Sequence, residues 1–152
     1  MPKVSKILVP VDFSDSARHA AFYAQALAER SDGKVCLLHV VPPFEFPFSM
    51  AEVPAFREHY DASRKDAVWR VLEQFPGSSP SGLSPHREMR EGDAAEEIVN
   101  RAHEGRFDAV VMPTRRASPL RQVLRMGSVT SKVLADVNCP VVTGFCWPPR
   151  DS

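Results

Sequence analysis

Three short, predominantly apolar runs, each leading into a segment of different character, constrain this chain more than any other feature. Ile7-Leu8-Val9-Pro10-Val11, Val35 to Val41, and Phe107 to Met112 lack the polar alternation of a strand that shows one face to water. Runs of this kind belong to strands buried on both faces, the condition of a parallel sheet covered by helices. After the first run, Asp12-Phe13-Ser14-Asp15 supplies helix-capping side chains, and Ala17, Ala20, Ala21, Ala24, Leu27 and Ala28 recur at helical spacing over Ser16 to Glu29. Ser31-Asp32-Gly33 then closes the segment with turn chemistry.

The remaining segments repeat this alternation less strongly. Pro42, Pro43, Pro47 and Pro54, set among Phe44, Phe46 and Phe48, exclude a regular helix or central strand and predict an ordered loop. A second helix is expected over Ala55 to Gln74, with Ala62, Val68, Val71 and Leu72 among its apolar positions, until Pro76 to Gly82 breaks it. His86 to Glu91 has few apolar residues and fits the exposed edge of a sheet. Asp93 followed by Glu96 resembles a capping box, and Ala95, Ile98, Val99 and Ala102 give the next helix its buried face up to Gly105. Past the irregular stretch from Pro113 to Met126, Gly127-Ser128 can start a last helix carrying Val129, Val133, Leu134 and Val137. Pro140-Val141-Val142-Thr143 is a final strand whose proline stands at its first position.

Strands that alternate strictly with helices imply parallel pairing through right-handed crossovers. The fold class is therefore α/β: a doubly wound, Rossmann-like five-stranded parallel sheet with helices on both faces. Placing the most apolar strands centrally gives the order 3-2-1-4-5. With 152 residues, the whole of 1–152 is expected to form a single domain.

Charge and cysteine usage narrow the function. Nineteen Lys and Arg balance nineteen Asp and Glu, so no general polyanion surface is expected and nucleic acid is not an expected partner. The N-terminal residues run into a strand without the apolar stretch of a signal peptide or membrane helix, which gives no membrane partner and a cytoplasmic address as the expectation. Cys36, Cys139 and Cys146 are read as reduced thiols. Cys139 and Cys146 have no Cys-x-x-Cys or His pair beside them, and no metal site is expected. His39 reads as a packed core histidine. His19, His86 and His103 lack a nucleophile or paired carboxylate at triad spacing, so no catalytic residue and no enzyme activity is expected.

In open α/β sheets, ligands bind beyond the carboxyl ends of the strands, at the point where the strand order reverses. Here that point lies between strands one and four, which directs attention to Asp12, Phe13 and Ser14 and to Pro113 through Arg116. Gly127 and Ser128 bring the last helix's N-terminus towards the same crevice, where free N–H groups and the helix dipole favour an anion such as phosphate.

At these residues the chain resembles the universal stress protein family. Lys6 through Ser14 looks like that family's first strand with its adenine-contacting aspartate. Leu38-His39-Val40-Val41 resembles its second strand, and Arg90-Glu91-Gly92-Asp93 through Ile98 its third strand and helix. Gly127-Ser128-Val129 through Cys139-Pro140-Val141 resembles its last helix and strand, so the likeness covers nearly the whole chain. The resemblance implies a stress-response protein that takes ATP or another adenine nucleotide as its cofactor, with Asp12 and the Val41 backbone near the base. It also implies a homodimer through the C-terminal strand.

One motif departs from the family's pattern. In ATP-binding members strand four is followed by glycine, two residues, glycine, nine residues, glycine and then serine or threonine. Gly127-Ser128 matches the end, but Pro113 or Thr114 stands at the first glycine and Arg115, Arg116 or Ala117 at the second. A side chain there narrows the space for phosphate, and proline removes a donor. Arg115, Arg116, Arg121 and Arg125, with Thr114 beside them, cluster in the same segment, and the four arginines are the residues expected to hold phosphate through charged forks instead of backbone amides. Two readings stay open: a nucleotide- or anion-binding module that uses these arginines with Gly127 and Ser128, and a nucleotide-free dimeric module for protein interaction or regulation.

Overall fold

The structure, a computed structural model, describes residues 3–45, 54–78, 82, 84–113 and 128–143, with Ser128 described by its backbone alone. Five strands and four helices alternate: β1 (Lys6–Pro10), α1 (Asp15–Ser31), β2 (Lys34–Val41), α2 (Pro54–Gln74), β3 (His86–Glu91), α3 (Ala94–Glu104), β4 (Ala109–Val111), α4 (Ser128–Asp136) and β5 (Val141–Val142). All four pairings are parallel. The order is β3-β2-β1-β4-β5, as the apolar ranking of the runs predicts.

The alternation of side chains along β1 and β2 separates two cores. Ile7, Val9, Val11, Val35 and Leu37 pack with Ala17, Ala20, Ala21, Ala24 and Ala28 of α1 and with Leu72 and Phe75 at the end of α2. Leu8, Cys36 and Leu38 face the other way, against Ala95, Ile98 and Ala102 of α3 and Val133 of α4. Right-handed crossovers require this division, because the path moves one way along the sheet through α1 and α2 and back through α3 and α4. Ile7, Leu8, Val9, Leu37 and Leu38 are fully buried. Each such side chain contributes about 1.5–3 kcal/mol of transfer free energy.

The alanine stripe of α1 lets that helix lie close on the sheet. Its C-terminus closes within Ser31-Asp32-Gly33, where Asp32 occupies the left-handed position with φ of 54°. Gly33 serves a separate need. A Cβ there would lie 2.9 Å from the Val4 carbonyl oxygen, where the chain entering β2 passes the chain entering β1.

The second helix departs further from expectation. Ala62 is exposed and Val71 is 51% exposed, so neither belongs to a buried face. Leu72 is the buried anchor, with Trp69 and Phe75 packed beside it. Along its middle, α2 is fastened by charge: Arg64 and Lys65 pair with Asp61 at 2.8 and 2.9 Å, and Lys65 also reaches Glu91 of β3 at 2.8 Å.

Candidate functional site

The carboxyl end of β1 is built around a strained residue. Phe13 has φ of 64°, a left-handed conformation uncommon for an aromatic residue. It is held there from two sides, by stacking on His39 with ring centroids 4.4 Å apart and by an edge contact with Phe75 at 5.6 Å. His39 Nδ1–H donates to the Val11 carbonyl at 2.7 Å, which fixes the ring against the strand end. His39 is thus half-buried and occupied in shaping the turn.

With the Phe13 ring packed inward, the preceding Asp12 faces outward. Asp12 is exposed, and its Oδ1 accepts from the Ser14 amide at 3.1 Å and the Ser14 hydroxyl at 2.5 Å. Ser14 is the N-cap of α1, its Oγ accepting from the Ala17 amide at 3.1 Å. The capping duty that the sequence distributes over Asp12 to Asp15 therefore falls to Ser14. Asp12 stands one step back, its carboxylate oriented by the cap and not consumed by the helix.

The ladder places this turn in register with its neighbours. Pro10 pairs with Leu38, so continuing the register by two residues sets Asp12 level with Val40, next to Val41. Val41 is buried, and its carbonyl accepts from the Gly92 amide at 3.0 Å. On the other side Leu8 pairs with Val110, and Met112 N–H donates to the Val142 carbonyl at 3.0 Å. Asp12 and Val41 thus come to one end of the sheet, beside the reversal of strand order between β1 and β4. The backbone of α4 begins at Ser128. Thr114, Arg115, Arg116 and Gly127 lie outside the described residues, as do Phe46, Phe48, Arg121, Arg125 and Cys146.

A second polar constellation lies at the opposite end of the sheet. Glu88 receives both Arg101 Nε and Nη2 at 2.6 Å, and His86 Nε2 is 3.2 Å from Glu88 Oε1. The Arg101 hydrogen bonds hold the Glu88 carboxyl below the usual range, and Glu88 in turn raises the Arg101 guanidinium. Beneath them burial, helped by Glu88, pushes the Cys36 thiol up to about 12. A cavity of about 220 Å³ also opens at this end, between α1 and the starts of β2 and β3, lined by Gln25, Lys34, Val35, Pro85 and His86. It is remote from the turn at Asp12.

Sequence reasoning located Asp12, Ser14 and Val41 but missed the part played by Phe13 and His39. The signal was present in outline, since a bulky residue between two capping residues has to be stored somewhere. Nothing in the spacing showed that His39 would be its stacking partner.

The sheet order, the all-parallel pairing and the four flanking helices define the class as a doubly wound, Rossmann-like α/β protein whose strand order reverses between β1 and β4. Residues 3–143 match the universal stress protein family, and the chain belongs to that family. It is 31% identical over 144 residues to universal stress protein MJ0531 of Methanocaldococcus jannaschii, an alignment covering 90% of this chain and 79% of that one. Universal stress protein YxiE of Bacillus subtilis is 27% identical, with 91% and 97% covered. Among solved structures it resembles universal stress protein UspA from Lactobacillus plantarum, at a TM-score of 0.69 and 25% identity over 94% of this chain and 99% of the other. Among the described residues no helix is long and apolar enough to cross a membrane.

Proposed function

We propose that this universal stress protein binds an adenine nucleotide, or another anionic ligand of similar shape, in the crevice beyond the carboxyl ends of β1 and β4. The observation that carries the reading is the Asp12 carboxylate, exposed and oriented by Ser14 at the reversal of strand order. A carboxylate there accepts from an exocyclic amine or a ribose hydroxyl, while the N-terminus of α4 favours phosphate. Two proteins of the same fold, at 17% and 19% identity, are known in complex with cAMP and with dAMP respectively, which supports the choice of ligand class.

In this reading Val41 contributes its backbone beside the base, and Thr114, Arg115, Arg116, Gly127 and Ser128 receive the phosphates. Arginine forks replace the amide cradle that the altered glycine pattern weakens. The module is non-catalytic and works as a cytoplasmic homodimer paired through the β5 edge. A nucleotide-free interaction module is the second reading, favoured by the missing glycines, since Pro113 or Thr114 stands at the first glycine position and a side chain there narrows the space for phosphate.

Chemical-shift mapping separates the two. Titrating ATP into isotopically labelled protein is expected to shift amides of Asp12 to Ser14, Val40 and Val41, and the start of α4. No shifts at millimolar ATP would remove the first reading and leave the interaction module.

A further inference from the structure

The β2/β3 ladder brings Cys36 up to His86 and Glu88, which lie much later in the sequence. Cys36 pairs directly with His86, and Leu38 with Glu88, so Cys36, His86 and Glu88 all project from the face of the sheet covered by α3. One ligand atom from each, a thiol sulfur, an imidazole nitrogen and a carboxylate oxygen, lies within 4.8 Å of the other two. We propose that Cys36, His86 and Glu88 form a binding site for a thiophilic divalent cation of the Zn²⁺ class, with water in the fourth position.

Donor chemistry and geometry both suit such an ion. Thiolate, imidazole and carboxylate are its three ordinary protein ligands, at about 2.3, 2.0 and 2.1 Å. A tetrahedral site of those bond lengths separates its ligand atoms by about 3.4 Å, so the widest pair closes by at most about 1.4 Å. The His86 side chain is 69% exposed at the first position of an edge strand and has the freedom to close it. Binding forms one metal–sulfur bond and releases the thiol proton to solvent.

The surroundings supply the outer shell. Arg101 donates to both Glu88 oxygens. When Oε1, the oxygen facing His86, turns to the metal, Arg101 keeps Oε2 and orients the carboxylate, as partners of ligating carboxylates do. Lys6, the other nearby cation, donates to the Gly105 carbonyl and lies 4.9 Å over the Phe107 ring. The thiolate and carboxylate charges together balance the divalent ion. This site stands apart from the proposed nucleotide crevice, at the other end of the sheet, and does not depend on it.

The test uses reduced, chelator-stripped full chain titrated with Co²⁺ as spectroscopic probe, then displaced with Zn²⁺. One equivalent is expected to give a near-ultraviolet thiolate-to-cobalt band that Zn²⁺ abolishes. H86Q, at an exposed position, is expected to weaken Co²⁺ affinity about 10-fold or more, and C36S to remove the band. C139S/C146S should retain it. Circular dichroism checks the fold of each variant. No band in the parent protein, a band that survives in folded C36S, or affinity unchanged in H86Q would overturn the proposal.

Discussion

The strands β1 and β3 belong to one sheet but are held in it by different forces. Four of five residues in β1 are buried, and the strand is flanked by β2 and β4. No residue of β3 is fully buried, and among the described residues the strand has β2 alone as a neighbour in the sheet. Its side chains are instead engaged by charge and hydrogen bonds: Arg87 with the Phe75 carbonyl at 2.9 Å, Glu88 with Arg101, and Arg90 with Glu97 and Glu104. Apolar burial supplies a rigid centre where the Asp12 turn must hold its shape. Polar pairing at the edge leaves donor groups near water, where they can do chemistry.

The largest test of that contrast is at the centre. Leu8→Ala should cost about 3 kcal/mol in urea unfolding, because a fully buried leucine leaves a cavity in a well-packed interior. A loss under about 1 kcal/mol would show that β1 is not the mechanical centre. Phe13→Ala should cost about 2 kcal/mol, since the ring is partly buried against His39 and Phe75 while its removal leaves the left-handed backbone in place. Its chemical-shift changes should be confined to the turn and its packing partners.

At the edge the effects are smaller and electrostatic in origin. Arg101→Gln should lower stability by about 1–2 kcal/mol, because it leaves the half-buried Glu88 carboxylate without its bidentate partner. Equal stability of variant and parent in low and high salt would break the comparison. Asp61→Asn tests the charge pairing along α2, where Asp61 holds the Arg64 and Lys65 side chains that also reach Glu91 of β3. Hydrogen bonds from Arg64 and then Lys65 hold the Asp61 carboxyl below its usual range. Its contribution is therefore complete above the ordinary carboxylate pKa and is lost as pH falls through the lowered one. The small stability gap between parent and Asp61→Asn is expected at neutral pH and should close in acid. A gap that widened in acid would contradict the assignment.

Legibility in the sequence followed the same division. The runs at Ile7 and Val35 named their strands because burial on both faces leaves a continuous apolar signature. The polar His86 to Glu91 segment was placed at an edge for the complementary reason, and the structure puts it there. Of the apolar positions read on α2, Leu72 is buried but Ala62 and Val71 are exposed, and the helix is further secured by Trp69 and by ion pairs that hydrophobic spacing does not register. Asp12 could be located because it follows a strand at the order reversal. The locking of Phe13 by His39, and the meeting of Cys36 with His86 and Glu88, depend on strand register, which a single sequence does not display.

The central claim is that the Asp12 turn forms one wall of a nucleotide site. Isothermal calorimetry of ATP with nucleotide-stripped parent protein and with Asp12→Ala tests it most directly. Saturable binding by the parent, weakened about 10-fold or more by loss of a charged hydrogen-bond acceptor, is the expected result. Absence of binding by the parent, or equal affinity in the folded variant, would contradict the account.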